Sequence, residues 1–357
     1  MEEGKNGLLP VSEYRGAIMG VAALWIYFFH CWILVFDGLS APFSILYSVE
    51  FYLKLIGFTG VDIFLLLSGV GLTYAIKKGS VPKFYFRRIR RILLPFIVLG
   101  ISMGIVREWG WEKILKNLSC YNFLFYHVDS FLWFVPAILI LYLFFPLYYK
   151  LFDKAKSKEI FTLGAILVWL LLSLVLRDKM RSDLFGFTNR IPVFVFGIML
   201  GHVIQTRKNI EFTLQTYLTL IVMLISGFYL AYLFNYTDVK TLIPVDNCLL
   251  PNILIAVSLT LLLARLFYVL DKKTKAGKWI VKIFGFFGMI SLEFYCVQYW
   301  FADMVPLFVQ DGWSKHLINI VLFLLVTATS WVCYVLFRTF WELVEKPFAK
   351  KNSAKAE

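Results

Sequence analysis

Apolar runs of about 20 residues, each bounded by a short charged or turn-rich stretch, recur along this chain and leave few folds open to it. A helix rising 1.5 Å per residue crosses the hydrocarbon layer of a bilayer in about 20 residues. Inside lipid every backbone N–H and C=O must be paired within the spanning structure, which favours helices. Reading for that length gives about ten spans, at 16 to 36, 59 to 76, 90 to 106, 131 to 149, 160 to 176, 191 to 205, 213 to 234, 249 to 269, 284 to 309 and 317 to 340. The expected fold is an all-α, polytopic membrane helix bundle. Composition agrees: 60% of the 357 residues are hydrophobic and 17% charged, against about 45–50% and 25% in soluble domains.

The formal net charge is +13, which in a soluble chain would suggest nucleic acid as a partner. Here placement matters more. With the N-terminus inside, most of the 36 lysines and arginines fall in inner segments, so both termini are expected on the cytoplasmic side and no nucleic-acid partner is expected. Glu50 and Lys54 interrupt the apolar stretch 43 to 58, which reads as an interfacial helix, as does 109 to 125. The run after Arg15 is too long for a signal peptide and lacks a small-residue cleavage site, so the first span is expected to be retained. Residues 1–350 read as one integral-membrane domain and 351–357 as a short cytoplasmic tail. Cys31, Cys120, Cys248, Cys296 and Cys333 are widely spaced with no C-x-x-C, so neither a disulfide framework nor a metal site is expected.

A few ionisable residues fall inside the apolar runs, where they are costly and mark sites. His30 lies 15 residues after Arg15, about 22 Å along the first helix. It reads either as a neutral histidine bonded to a neighbouring helix or as a general base for a hydroxyl near neutral pH. Asp62, at the start of the second span, reads equally as the carboxylate that orients His30 and as a helix N-terminal cap. Glu293 lies about ten residues into the ninth span, as a site residue or an interhelical clamp. Arg190 precedes Ile191-Pro192 and reads as an outer-face substrate contact or an interfacial anchor. Between the second and third spans, Lys77, Lys78, Lys83, Arg87, Arg88, Arg90 and Arg91 crowd one segment. Positive-inside topology explains part of this. The R-x-x-R spacing also sets forked donors side by side on a helical turn, suited to phosphates.

The order and spacing of several short motifs resemble the acyltransferase 3 family, integral-membrane O-acyltransferases of which many acetylate bacterial surface glycans. The resemblance is carried by Phe28-Phe29-His30, by Gly60-Val61-Asp62-Ile63-Phe64 running to Ser68-Gly69, and by Phe84-Tyr85-Phe86-Arg87-Arg88-Ile89-Arg90-Arg91 running to Pro95. It continues through Leu132-Trp133-Phe134, Arg190-Ile191-Pro192-Val193-Phe194 with Gly197, Ser291-Leu292-Glu293-Phe294-Tyr295 and Glu345-Lys346-Pro347-Phe348. Two positions depart from the family pattern. The first-span arginine usual eleven residues before the histidine is Met19 here, with Arg15 one turn further from His30, and the histidine that the family often has after S-x-x-x-Y-x-x is Gln298.

The resemblance implies an acyl-CoA donor, by default acetyl-CoA, with its phosphates on Arg87, Arg88, Arg90 and Arg91 and its pantetheine arm threading toward His30. It implies a hydroxyl acceptor on a cell-surface glycan or lipid-linked saccharide, met by Arg190, Trp133, Tyr295 and Gln298. His30 would then be the base, with Asp62 or Glu293 orienting it. The implied location is a multi-pass position in the bacterial plasma membrane, in contact with lipid, with no metal required. The competing reading is a permease for a polar solute, resting on intramembrane His30 and Glu293; internal repeats and paired interrupted helices would favour it.

Overall fold

A computed structural model describes residues 7–37, 44–125, 132–176, 182–207, 210–237 and 249–353, and these contain helices and no strand. A short α1 (Leu9–Glu13) leads into α2 (Arg15–Cys31). Helix α3 (Ser44–Leu55) and a 3-10 turn, Gly57–Thr59, feed α4 (Gly60–Ile76). Then come α5 (Val81–Val106), the short α6 (Trp111–Leu118) and α7 (Tyr121–Phe125), α8 (Phe134–Lys154) and α9 (Lys158–Leu176). Next are α10 (Ser182–Thr188), α11 (Ile191–Thr206), α12 (Leu214–Tyr236) and α13 (Leu249–Lys273). Last come α14 (Lys275–Met289), α15 (Ser291–Ala302), α16 (Val305–Gln310) and α17 (Lys315–Ser353).

Among the described residues, 8 helices are long and apolar enough to cross a membrane, or 9 with α14 and α15 counted as one span bent by 70°. Helix α2 is apolar but has only 17 residues. Each expected run therefore falls on helix, with three corrections. The first ends at Cys31, because the backbone turns extended at Trp32 (ψ 131°). The third begins at Val81, so the arginine cluster lies on the helix that enters the bundle. The ninth is interrupted at Ile290 and its tail, Val305–Gln310, is a separate helix.

Helix α4 is the most enclosed span, with 83% of its apolar window buried, whereas α9, α12 and α17 bury 17% and present leucine and valine to lipid. Lipid tails match the apolarity of leucine, so helices in a bilayer associate through close backbone approach at small residues. Helices α4 and α11 meet in this way: a Cβ on Gly69 would strike the Phe194 carbonyl, and one on Gly197 the Leu66 carbonyl. Helices α2 and α14 meet at Gly20 against Phe284 and at Gly288 against the Gly16 carbonyl. Gly288→Val is expected to push α14 off α2 and lower stability by about 1–3 kcal/mol, the usual cost of overpacking. Thermal unfolding in detergent, followed by circular dichroism, measures it; an unchanged midpoint would show that the contact carries no weight.

The start of α2, the start of α5 and the end of α17 gather at one end of the bundle, since Arg15 shares a cavity with Arg88 and Arg90 pairs with Glu345. The C-terminal turn of α2 opens at the other end.

Candidate active site

At the first end, the four arginines of α5 have different fates. Arg91 makes a two-pronged ion pair with Glu293, at 2.5 and 2.9 Å, and also donates to the Met289 carbonyl at 3.1 Å. The Tyr334 ring lies 5.5 Å from its guanidinium carbon. Arg90 is paired with Glu345 of α17. Of the four guanidiniums expected to meet phosphates, Arg90 and Arg91 are matched by carboxylates more than 200 residues away. Arg87 and Arg88 have no carboxylate partner among the described residues. Arg88 packs over the rings of Phe84 and Tyr142, at 5.8 and 5.9 Å, with its Nε unbonded.

Arg15 completes this group. Its guanidinium lies against Gly71, where any Cβ would take its place, and it likewise has no carboxylate partner among the described residues. Arg15, Arg87, Arg88 and Lys78 face a cavity of about 360 Å³. Arg15 and Arg88, with the Glu293-paired Arg91, also line a second cavity of about 400 Å³ that continues into the bundle as an apolar slot. Met19, Phe64, Phe134, Ile138 and Leu292 line it, and Tyr295 closes its far side. Met19, where the family pattern would place an arginine, is thus wall, and the guanidinium sits one turn nearer the mouth.

At the opposite end, His30 occupies the last turn of α2. Its Nε2 is 3.4 Å from the Tyr299 hydroxyl, and its ring packs on Phe29 and Tyr299, with centroids at 4.8 and 5.0 Å. With Trp32, Lys54, Asp37 and Lys315 it faces an open cavity of about 520 Å³. The segment after His30 is gripped from two sides. Glu50 of α3 accepts from Trp32 Nε1 at 2.7 Å and from the Val35 and Phe36 amides at 3.0 Å. Asn319 of α17 accepts from the Ile33 amide at 2.9 Å and donates to its carbonyl at 2.8 Å. Lys54 donates to the Trp32 carbonyl, capping α2, and burial draws its ammonium below the usual lysine range. The i, i+4 spacing of Glu50 and Lys54 was the available signal for this grip. Nothing local marked Asn319 or Tyr299.

Neither carboxylate expected to orient His30 bonds to it. Asp62 is fully buried and its Oδ2 accepts from Arg190 Nε at 3.2 Å and from Asn252 Nδ2 at 2.9 Å. Arg190 also donates to the Gly186 carbonyl and lies 5.3 Å from the Trp133 ring centroid. Arg190, expected with Trp133 to face substrate, is itself buried in this cluster, with the half-buried Trp133 beside it, and the cluster ties α4, α11 and α13 to the start of α8. In a low-dielectric interior a carboxylate gains more from a guanidinium than from a neutral imidazole. Glu293 lies at the arginine end, because the break at Ile290 makes it a first-turn residue of α15. Tyr295 lies at the end of the slot, its ring 5.6 Å from Phe134 and 5.5 Å from Tyr299. Gln298 is buried one turn beyond it.

The slot and the His30 cavity share no lining residue. Tyr295 lines the slot, Tyr299 packs on His30, and the two tyrosine rings are in contact.

The chain matches the acyltransferase 3 family model, described as an acyltransferase domain, over residues 18–335, nearly its whole length. Neither the curated proteins nor the solved structures compared with it give a match. With that match laid over a bundle of apolar spans, the chain belongs to the acyltransferase 3 family and is a multi-pass membrane acyltransferase.

Proposed function

We propose that the protein is an O-acyltransferase that moves an acyl group, by default acetyl, from cytoplasmic acyl-CoA to a hydroxyl of a cell-surface glycan or its lipid-linked precursor. The observation that carries this reading is the placement of two unlike cavities at opposite ends of α2. One has a mouth of guanidiniums without carboxylates that narrows to an apolar slot; the other holds a histidine.

The chemistry of each suits one reactant. The donor's phosphates take charge-assisted hydrogen bonds from Arg15, Arg87 and Arg88, and its thin arm fits the slot as far as Tyr295. The arginine end faces the cytoplasm on this reading, in line with the inner bias of basic residues. His30 takes the proton from an acceptor hydroxyl entering by the outer cavity. Beside it stand Lys54 and the ion pair of Lys315 with Asp37 at 3.0 Å, polar groups that would favour an acceptor with many hydroxyls.

Acetyl-CoA consumption by the purified protein in detergent, with a glycan acceptor present, tests the reading. Arg88→Ala is expected to raise KM for acetyl-CoA by roughly 10- to 100-fold, since hydrogen bonds to charged groups contribute about 1.5–3 kcal/mol. An unchanged KM would remove the arginine mouth from the donor site. Uptake of a polar solute into liposomes with no CoA ester present, together with no acetyl-CoA turnover, would replace the reading by a transporter.

A further inference from the structure

One stripe of α15 joins the two cavities. Ser291, Leu292 and Tyr295 line the slot, and Ala302 lines the His30 cavity. Steps of three and four residues stay on one face of a helix, and Gln298 falls on that stripe between Tyr295 and Ala302. The seven residues from Tyr295 to Ala302 rise about 10 Å, and Gln298, which lines neither cavity, lies between the residues that do. Its Nε2 and Oε1 are fully buried, and neither has a hydrogen-bond partner. A side-chain amide offers two donors and an acceptor, and burying each polar group unpaired costs about 1–3 kcal/mol. Leucine would fill the same volume without that cost. The Cys31 thiol, next to His30, donates to the Gln298 backbone carbonyl at 3.6 Å, which fixes this turn of α15 against the end of α2 that carries the imidazole.

We propose that Gln298 is the oxyanion donor of the acyl transfer. The inference rests on the acyltransferase reading given above. In the step, the acceptor oxygen bonds to the thioester carbonyl carbon while its proton passes to His30. The carbonyl electron pair moves onto oxygen, where the Gln298 N–H holds it. Collapse restores the carbonyl, breaks the C–S bond and returns the proton from His30 to the departing sulfur, leaving ester and CoA. A donor preorganised in a water-poor site counts for more than the same group in solution, and loss of one such donor costs about 10²–10³-fold in kcat.

Gln298→Leu and Gln298→His, assayed beside the parent and His30→Ala with acetyl-CoA and a glycan acceptor, test this. Gln298→Leu is expected to lose about 10²–10³-fold in kcat, with KM for acetyl-CoA near the parent's and a melting temperature equal or higher, because an unpaired buried amide has been removed. Gln298→His keeps a ring N–H and is expected to turn over faster than the leucine variant. Turnover by Gln298→Leu at the parent rate, or a loss of activity that tracks a fall in melting temperature, overturns the proposal while the acyltransferase reading stands. A parent that consumes no acetyl-CoA overturns both.

Discussion

His30→Ala is expected to slow acetyl-CoA turnover by about 10²–10⁴-fold, the usual contribution of a positioned general base, with little change in KM for the donor. The separation of the two effects follows from geometry. On the proposed reading the donor's charged groups would be held near Arg15 at the start of α2, and the imidazole is 15 residues, about 22 Å, further along the same helix. Stability should change little, because the ring's partners are the Tyr299 hydroxyl and the faces of Phe29 and Tyr299. Steady-state kinetics on the detergent-purified variant, with melting followed in parallel, decide the matter. Turnover within about twofold of the parent, far inside the range for a general base, would assign the proton transfer elsewhere.

The opposite pattern, a large loss of stability, is expected at Asp62 and Arg190. Their ion pair is 0% and 5% exposed, and removing one partner of a buried pair leaves the other charge uncompensated, at a cost of about 3–5 kcal/mol. Asp62→Leu and Arg190→Leu should each show that loss in denaturant or thermal unfolding. The double variant should be less destabilised than the sum of the two, since neither charge is then stranded. Single variants that unfold with the parent but fail to turn over donor would reverse the assignment and return Asp62 to the chemistry.

The bundle was legible in the sequence because hydropathy over about 20 residues is a local property. The bend at Ile290 was not, because a run of apolar residues looks the same straight or broken, and it moved Glu293 from mid-span to the arginine end. His30 could be singled out as a histidine deep in an apolar run. Its surroundings could not, since Tyr299 reaches it, and Asn319 the Ile33 backbone just beyond it, from helices that begin more than 250 residues later. The arginine cluster was visible as charge, but which guanidiniums remain for a ligand depends on Glu293 and Glu345, whose approach to α5 is purely tertiary. Arg15 and Met19 show the same limit: spacing identified the departure from the family pattern, and only packing against Gly71 showed where the guanidinium goes.

On the proposed reading, the contact between Tyr295 and Tyr299 would have a physiological consequence. Wet chambers opening at both ends of a bundle would form a leak for protons and small cations wherever they touched, and the cell's electrochemical gradient would drain through it. On that reading, the two aromatic rings would let a group of a few atoms be handed over while the bilayer keeps its electrical resistance.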